Sequence, residues 1–363
     1  MVATIKDVAR EAEVSIATVS RVINGLGNVT DVTRARILGV AARLRYVPDS
    51  AARSLITGRT HTIGVLLPDL HGEFFSEIIR GIDQAARSRN LHLLLTGTHD
   101  SAAEAALAIR SLRGRVDGLL IMSPHADSAF LSANLDPDTP TVMMNTRVSR
   151  RTHSAIVVDN RGSAHSMVRH LASVGHRRIA FVTGPEDNFD AAERLLGYRE
   201  ALRELVPGAR ELLLPGDFSE ESGYRAGQSL VGRDGLPDAV FAANDSMAIG
   251  CLCALKEAGI SVPADIALAG FDDIPISRFM SPPLTTVHVP IAGLGARALE
   301  RLAADIATPG GKHSTETLAA ELVVRASSIA PKPAAASRPS ATGARSNKSS
   351  MRSQPGKRPP GDR

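Results

Sequence analysis

The segment from Thr4 to Asn24, TIKDVAREAEVSIATVSRVIN, constrains the fold of this chain most strongly. Its apolar residues recur at helical spacing on both sides of a short polar break, which predicts two helices joined by a tight turn. Thr4 and Ser15 are suited to cap these helices. A compact helix-turn-helix unit is typical of proteins that place the second helix in the major groove of DNA.

A third helix is predicted from about Asp31 to Leu44, with Thr30 as its N-cap. Its apolar face can share a small core with the first two helices. Residues 1–47 are therefore predicted to form a three-helix DNA-binding headpiece. Residues 48–60 are predicted to form a linker with one helix-compatible stretch.

From Thr62 onward, runs of four or five apolar residues alternate with amphipathic helical stretches. This alternation predicts parallel sheets connected by right-handed crossovers, and the series is long enough for two sheets. The predicted strands are 63–68, 91–97, 118–123, 141–144, 156–159, 179–184, 239–244 and 266–273. The predicted helices are near 75–89, 101–113, 162–174, 192–205, 221–233, 246–258 and 291–306.

The predicted fold class is thus a helical headpiece followed by an α/β body of two doubly wound parallel-sheet lobes, residues 61–330. Ligands of such sheets bind beyond the carboxyl ends of the strands. Polar residues follow the predicted strands at Asp69, Asn145, Asp159, Asn244, Asp245 and Asp272.

The net charge of +4 is unevenly distributed: residues 1–60 carry +4, residues 331–363 carry +7, and the section between them carries −7. Basic ends on an acidic body direct polyanions to the ends. The last segment, 331–363, is rich in Pro, Ser, Ala and Arg, and is predicted to be a disordered basic tail.

Composition also limits the alternatives. No apolar run is long enough to span a bilayer, and the first 25 residues lack an export signal, so a cytoplasmic, nucleoid-associated protein with no membrane partner is expected. Cys251 and Cys253 lie on different faces of one predicted helix and are expected to pack rather than to bind metal. We expect no cofactor.

Four segments, VAREAEVSIATVSRVING, YVPDSAARSLITGRT, ANDSMAIG and GFDDIPISRFMSPPLTTV, resemble the lac repressor (LacI) family of bacterial transcription regulators in both order and spacing. The resemblance covers residues 2 to about 327. It implies a homodimer with paired headpieces, a hinge helix within 48–60, and a body like a periplasmic sugar-binding protein. It also implies a small effector bound between two lobes and a pseudo-palindromic double-stranded DNA operator.

The resemblance implies DNA-contacting residues by position. Ile16 and Ala17 would contact thymine methyl groups, and Arg21 would bind a guanine edge, with a solvated arginine as the alternative. Leu55 would wedge into the minor groove, with packing on the body as the alternative. Glu13 stands at the turn, where the family often has Gly or Asn, residues that favour a left-handed backbone. The other implied DNA-binding residues are Thr4, Ser15, Thr18, Ser20, Asn24, Asn28, Thr30, Tyr46 and Ala52.

The effector positions implied by the resemblance are Asp69, Phe74, Phe75, Asp159, Arg194, Phe218, Asn244 and Asp272. Arg194 and Asp272 would hold polar groups of the ligand, while the aromatic rings would stack on a sugar or a base. The sequence around Phe218 resembles the purine repressor. However, Asn188 and Asp190 stand where that repressor has an arginine and a threonine, which favours a sugar over a purine or nucleoside.

Structural roles remain open for two of these positions. Asp159 is also suited to a purely structural role at a strand end, and Asn244 to capping the next helix. A sugar-binding receptor without a transcriptional role is the remote alternative function, and the first 60 residues argue against it. No enzyme is expected, because the chain has no GxGxxG motif after a strand, no P-loop and no GxSxG motif.

Overall fold

The computed structural model describes residues 3–25, 27, 29–47, 58–99, 101–123, 127–146, 153–232 and 235–329. The first three helices are α1 (Ile5–Glu11), α2 (Ile16–Ile23) and α3 (Asp31–Arg43), which confirms the three predicted helices. They bury one aliphatic cluster that includes Val8, Val19 and Ile37. The predicted hinge helix and the predicted disordered tail lie outside the described residues.

Alternating strands and helices follow the headpiece. The strands are β1 (Thr62–Leu67), β2 (His92–Gly97), β3 (Gly118–Ile121), β4 (Thr141–Met144), β5 (Ser154–Val158), β6 (Ile179–Val182), β7 (Leu212–Leu214), β8 (Ala239–Ala242), β9 (Ala267–Ala269), β10 (Thr286–His288), β11 (Thr315–Leu318) and β12 (Glu321–Val323). The helices are α4 (Glu73–Arg87), α5 (Ala102–Leu112), α6 (Ser128–Asn134), α7 (Asn160–Ser173), α8 (Phe189–Leu205), α9 (Glu220–Leu230), α10 (Asp245–Glu257) and α11 (Ile291–Ala307). Two 3-10 turns lie at Pro275–Phe279 and Ala326–Ser328.

Two parallel sheets organise the body. The first has the order β11-β5-β4-β3-β1-β2, and the second has the order β7-β6-β8-β9. The chain leaves the first sheet after β5, returns to it through α11 and β11, and leaves again into β12, which pairs antiparallel with β10. The chain therefore crosses between the two sheets several times, and these crossings join the two lobes.

The predicted strands were found in every case, but several end earlier than predicted. The runs 118–123, 179–184, 239–244 and 266–273 shorten because their last residues turn into loops at the carboxyl edges of the sheets. Sequence analysis missed β7, which is three residues long, and β10, β11 and β12, which contain polar residues such as those of TETL. It also missed the short helix α6.

Close helix packing holds the first lobe together. α4 and α11 cross where Gly81 faces the carbonyl oxygen of Ala292, and a Cβ at position 81 would lie 1.9 Å from that oxygen. Only glycine permits so short an approach between the backbones. Within the described residues, we find no helix that is both long and apolar enough to cross a lipid bilayer.

Candidate effector cleft and DNA-binding surface

The carboxyl ends of the two sheets carry the polar residues expected of a ligand site. Asn145 follows β4 in the first sheet, and Asp272 lies in the loop after β9 in the second. Arg194 projects from the second turn of α8, and Phe218 follows β7. The loops at these strand ends form the candidate effector cleft.

Arg194 is the centre of a buried polar network. It is 3% exposed. Its Nε donates a hydrogen bond to Asn160 Oδ1 at 2.8 Å, its Nη1 donates to the carbonyl oxygen of Ala243 at 2.6 Å, and its Nη2 lies 3.1 Å from Asp272 Oδ1. These partners fix the guanidinium within the second lobe, next to Asn160, where the chain crosses from the first sheet to the second.

Two aromatic rings flank the Arg194 guanidinium. Its Cζ lies 3.8 Å from the centroid of the Phe271 ring and 5.9 Å from the centroid of the Phe218 ring. A cation placed over a ring face is attracted to it electrostatically. Phe271 is fully buried, whereas Phe218 is half-buried at the end of its loop. Phe218 is therefore the ring of this pair that a ligand can reach.

Asp190 is a fourth member of the network. Asn160 Nδ2 donates a hydrogen bond to Asp190 Oδ1 at 2.8 Å, and the Asn145 side chain hydrogen-bonds the same carboxyl group. Burial raises the pKa of Asp190 to about 7, although Arg194 opposes the rise, and burial raises the pKa of Asp272 to about 6 against the same opposition. Desolvation thus exceeds the attraction of one shared guanidinium.

Backbone strain and unpaired acceptors concentrate at the same place. Asn145 has φ +46°, Phe218 has φ +73° and Asp272 has φ +108°. Such conformations are uncommon outside glycine and gather at functional sites. Asn145 Oδ1 and Asp272 Oδ1 are buried acceptors without a hydrogen bond, a condition rare in folded proteins. Asp272 Oδ1 therefore has only the ionic contact with Arg194.

Three predicted effector residues accept hydrogen bonds from nearby backbone N–H groups. Asp69 Oδ1 accepts from the N–H groups of Leu70 and His71, Asp159 Oδ1 accepts from Gly162 N at 3.0 Å, and Asn244 Oδ1 accepts from Met247 N at 2.9 Å. Asp159 and Asn244 thereby cap α7 and α10.

Asn244 has a further contact within the cleft. Its Nδ2 donates a hydrogen bond to the carbonyl oxygen of Phe218 at 2.9 Å. The side chain thus fixes the loop that presents the Phe218 ring. Phe74 and Phe75, at the start of α4, are both half-buried and pack edge to face, with ring centroids 5.4 Å apart.

Sequence analysis missed the roles of several residues in this network. The sequence marks Asp190 only as a departure from the purine repressor and gives no signal for Asn160, which hydrogen-bonds both Asp190 and Arg194. Asp245 is fully buried and accepts from Ile274 N, Ser277 Oγ and Thr286 Oγ1 at 3.0, 2.6 and 2.6 Å. It anchors the loop that carries Asp272. The spacing of Asp190 and Arg194, four residues apart on one helix face, was the available signal.

The predicted DNA-reading residues of α2 are exposed on one side of the headpiece. Ile16 is 45% exposed, and Ala17 and Arg21 are also exposed. Ser15 caps the helix by accepting from Thr18 N at 3.1 Å, and Asn24 Nδ2 donates to Ser20 Oγ at 3.3 Å. The N-terminal half of α2 is therefore open to a large ligand.

Other predicted DNA-binding residues have local structural partners. Thr4 donates through its N–H and Oγ1 to Asp7 Oδ2 at 3.0 and 2.7 Å, and Thr30 Oγ1 accepts from Thr33 N at 3.4 Å. Tyr46 packs on the headpiece core. Glu13 has φ +52°, which confirms the left-handed turn expected there. The predicted contacts of Asn28, Ala52 and Leu55 fall outside the described residues.

Two family descriptions match the chain. Residues 4–49 match "Bacterial regulatory proteins, lacI family", and residues 168–328 match "Periplasmic binding protein-like domain". The first match covers the headpiece. The second covers most of the second lobe and the passages that join the lobes.

Curated proteins and solved structures are similar over nearly the whole chain. The ribose operon repressor of Escherichia coli (strain K12) is 37% identical over 313 residues, which is 85% of this chain and 94% of that protein. The HTH-type transcriptional repressor PurR of Klebsiella pneumoniae (strain 342) is 36% identical over 304 residues, 83% of this chain and 89% of that protein. The crystal structure of the lac repressor dimer bound to operator and the anti-inducer ONPF superposes with a TM-score of 0.82 at 29% identity, covering 91% of this chain and all of that one.

Proposed function

The chain belongs to the LacI family of DNA-binding transcriptional regulators, and we propose that it is a homodimeric repressor whose affinity for a pseudo-palindromic operator is controlled by a sugar. We further propose that it works in the cytoplasm, where the chromosome lies. The observation that carries the effector proposal is the buried Arg194–Asp272 pair at the cleft, with the accessible ring of Phe218 beside it.

Charged and aromatic side chains together suit a sugar. Its hydroxyl groups donate and accept hydrogen bonds, and its C–H face stacks on an aromatic ring. A purine is the alternative effector, because the Phe218 ring also suits a flat base. Asn188, one of the two departures from the purine repressor, caps α8 by accepting from Ala191 N at 3.1 Å. The other departure, Asp190, places a carboxyl group in the cleft network, which favours a ligand rich in hydroxyl donors.

The exposed face of α2 supports the DNA part of the proposal. Ile16 and Ala17 offer apolar contacts for thymine methyl groups, and Arg21 offers two donors for a guanine edge. Two such headpieces related by twofold symmetry require an operator with the same symmetry. The small apolar pair lets the helix approach closely, so we assign most hydrogen-bonded base recognition in α2 to Arg21.

Operator selection from a random double-stranded library, followed by fluorescence anisotropy at fixed salt, tests the DNA proposal. We expect two half-sites related by a dyad. Arg21→Ala should weaken specific binding by about 1–3 kcal/mol and relax one base pair of each half-site. Arg43→Ala is the matched control, because Arg43 is an exposed headpiece arginine that pairs with Glu11. An asymmetric consensus, or equal effects of the two variants, would refute this assignment.

The effector proposal is tested with the same operator. Neutral sugars should change operator affinity by about 5-fold to 150-fold, in either direction, because coupling energies are typically 1–3 kcal/mol. A response to purines alone would identify the alternative effector. Intact operator binding that no sugar or purine changes would refute effector control while leaving the DNA proposal in place.

A further inference from the structure

The donors of the cleft are largely occupied by the protein itself. Each nitrogen of the Arg194 guanidinium contacts the protein: Nε at Asn160 Oδ1, Nη1 at the carbonyl oxygen of Ala243, and Nη2 at Asp272 Oδ1. The guanidinium also lies 3.8 Å from the Phe271 centroid, so one of its faces is covered. This arginine is therefore poorly placed to form the bidentate pair by which arginine binds a phosphate or carboxylate.

The acceptors of the cleft show the opposite pattern. Asn145 is 8% exposed and its Oδ1 has no hydrogen bond, whereas Asp272 is 4% exposed and its Oδ1 has only the 3.1 Å ion pair with Arg194 Nη2. Buried acceptors in folded proteins almost always have donors. These two atoms come from different lobes and lie beside the same network. A ligand that donates hydrogen bonds would satisfy Asn145 Oδ1 and would give Asp272 Oδ1 a second donor.

The charges point the same way. Asp190 and Asp272 share one guanidinium, so the network bears a negative formal charge when both carboxyl groups are ionised. Among the described residues near the strand ends, Arg325 is engaged with Asp273 at 2.7 Å and His99 with Glu104 at 2.7 Å. Within the described residues, Arg194 forms an ion pair with Asp272 and attracts Asp190 without contacting it, and no other cation is paired with either carboxyl group. Among the residues that the structure describes, an anionic ligand would therefore meet two carboxyl groups and a single, already paired guanidinium.

We propose that the effector is an uncharged polyol, an unphosphorylated sugar or sugar alcohol, and that Asp190 is the residue that rejects phosphorylated forms. This inference rests on the effector function proposed above and specifies its ligand class. The dianion of a phosphate monoester has no hydrogen-bond donor, so the phosphate group cannot replace a sugar hydroxyl as the donor to Asn145 Oδ1 or Asp272 Oδ1. At pH 8, above the raised pKa values of Asp190 and Asp272, it would also place negative charge against two ionised carboxyl groups.

Asp190 is a better test of selectivity than Asp272. Asp272 touches Arg194 directly, so its replacement would disturb the network. Asp190 reaches the network through the amides of Asn160 and Asn145. Asp190→Asn keeps the side-chain shape and the Oδ1 acceptor for Asn160 while removing the charge. Glu204→Gln is the matched control, because Glu204 lies at the other end of α8 and pairs with His165.

The experiment is isothermal titration of the full chain at pH 8, where both carboxyl groups are ionised. The ligands are matched pairs: D-ribose and D-ribose 5-phosphate, D-glucose and D-glucose 6-phosphate, D-fructose and D-fructose 6-phosphate, and ribitol and ribitol 5-phosphate. We expect one neutral member to bind and its phosphate to bind at least about 100-fold more weakly, because like charges brought together in a recognition site are strongly unfavourable. Asp190→Asn should reduce that ratio at least about tenfold, whereas Glu204→Gln should leave it unchanged. Operator affinity of both variants, measured in parallel, reports that they are folded.

Each other outcome contradicts a defined part of the reasoning. A phosphorylated sugar that binds as tightly as its neutral partner overturns the ligand class. An unchanged ratio in folded Asp190→Asn overturns the role of Asp190. Binding of a purine in place of every polyol also overturns the ligand class while preserving effector control. Binding of neither class by a protein that still binds its operator refutes the proposed effector function itself.

Discussion

Replacing Arg194 by methionine should destabilise the body in a pH-dependent way. The substitution keeps much of the apolar stem but removes the guanidinium, leaving Asp190 and Asp272 without their shared cation. It also leaves Asn160 Oδ1 and the carbonyl oxygen of Ala243 without their donors. Removing one partner of a buried ion pair typically destabilises a protein by about 3–5 kcal/mol. We expect a loss in this range at pH 8.

The sign of the pH effect follows from the two carboxyl groups. Their pKa values in the folded chain are raised, to about 7 for Asp190 and about 6 for Asp272. Groups with raised pKa values contribute stability below their unfolded pKa, and that contribution disappears as the pH rises through the folded pKa. Arg194 opposes the rise in both groups, so its removal shifts both pKa values upward. The loss in Arg194→Met should therefore grow between pH 5 and pH 8.

Thermal unfolding followed by far-ultraviolet circular dichroism is a suitable assay, because the chain contains no tryptophan. For a domain of this size, each kcal/mol lost from the free energy of unfolding lowers the melting temperature by about 2–4 °C. The melting temperature of Arg194→Met should therefore fall by roughly 10 °C at pH 8. At pH 5 the fall should be clearly smaller. Operator binding should persist below the melting temperature, while its response to effector is lost.

Arg199→Met is the matched control. Arg199 lies on the same helix, at the surface, and its Nε is 3.1 Å from Glu211 Oε2. Exposed pairs contribute only about 0–1 kcal/mol, so this variant should melt close to the wild type at both pH values. Equal losses of Arg194→Met at pH 5 and pH 8 would refute the electrostatic reasoning. A loss no larger than that of Arg199→Met would show that the network does not stabilise the lobe.

Two further predictions concern stability. Gly81→Ala should lower the melting temperature by an amount equivalent to about 1–3 kcal/mol, because the new Cβ would lie 1.9 Å from the carbonyl oxygen of Ala292. Gly39→Ala is the control, since Gly39 is a helical glycine whose Cβ would meet nothing within 4 Å, and this variant should melt slightly higher. Equal shifts of the two variants in calorimetry would contradict the packing argument. Asp245→Ala should lower the free energy of unfolding by about 2–5 kcal/mol, because three buried donors lose their acceptor, and urea denaturation that shows less than 1 kcal/mol would contradict this role.

Much of the fold could be predicted because the central strands are buried on both faces and therefore read as continuous apolar runs. β1 and β8 are examples, with almost every residue buried. β11 and β12 lack this signal: their residues are partly exposed, and their pairing depends on a chain that returns from far along the sequence. Periodicity within a short window cannot detect such strands.

The candidate site was predictable in part for a different reason. A polar residue between a strand and a helix is suited both to cap the helix and to face a ligand, so Asp159 and Asn244 gave the same signal for two roles. In the structure both side chains cap the helix that follows. Asn145 differs, because its significance depends on a left-handed backbone and an unpaired buried oxygen. Neither property is visible in a sequence.

The position of Asn160 suggests how the cleft and the lobe geometry are linked. Asn160 begins α7 directly after β5, where the chain passes from the first sheet to the second. Its amide holds both Arg194 and Asp190, while Glu73 Oε2 of the first lobe accepts from Ile276 N of the second at 3.0 Å. A ligand that paired with Asp272 would compete for the contact made by Arg194, and a shift of the guanidinium would alter its hydrogen bond to Asn160. Because an effector acts only through contacts that differ between two arrangements, this competition is a physical route from ligand binding to lobe movement.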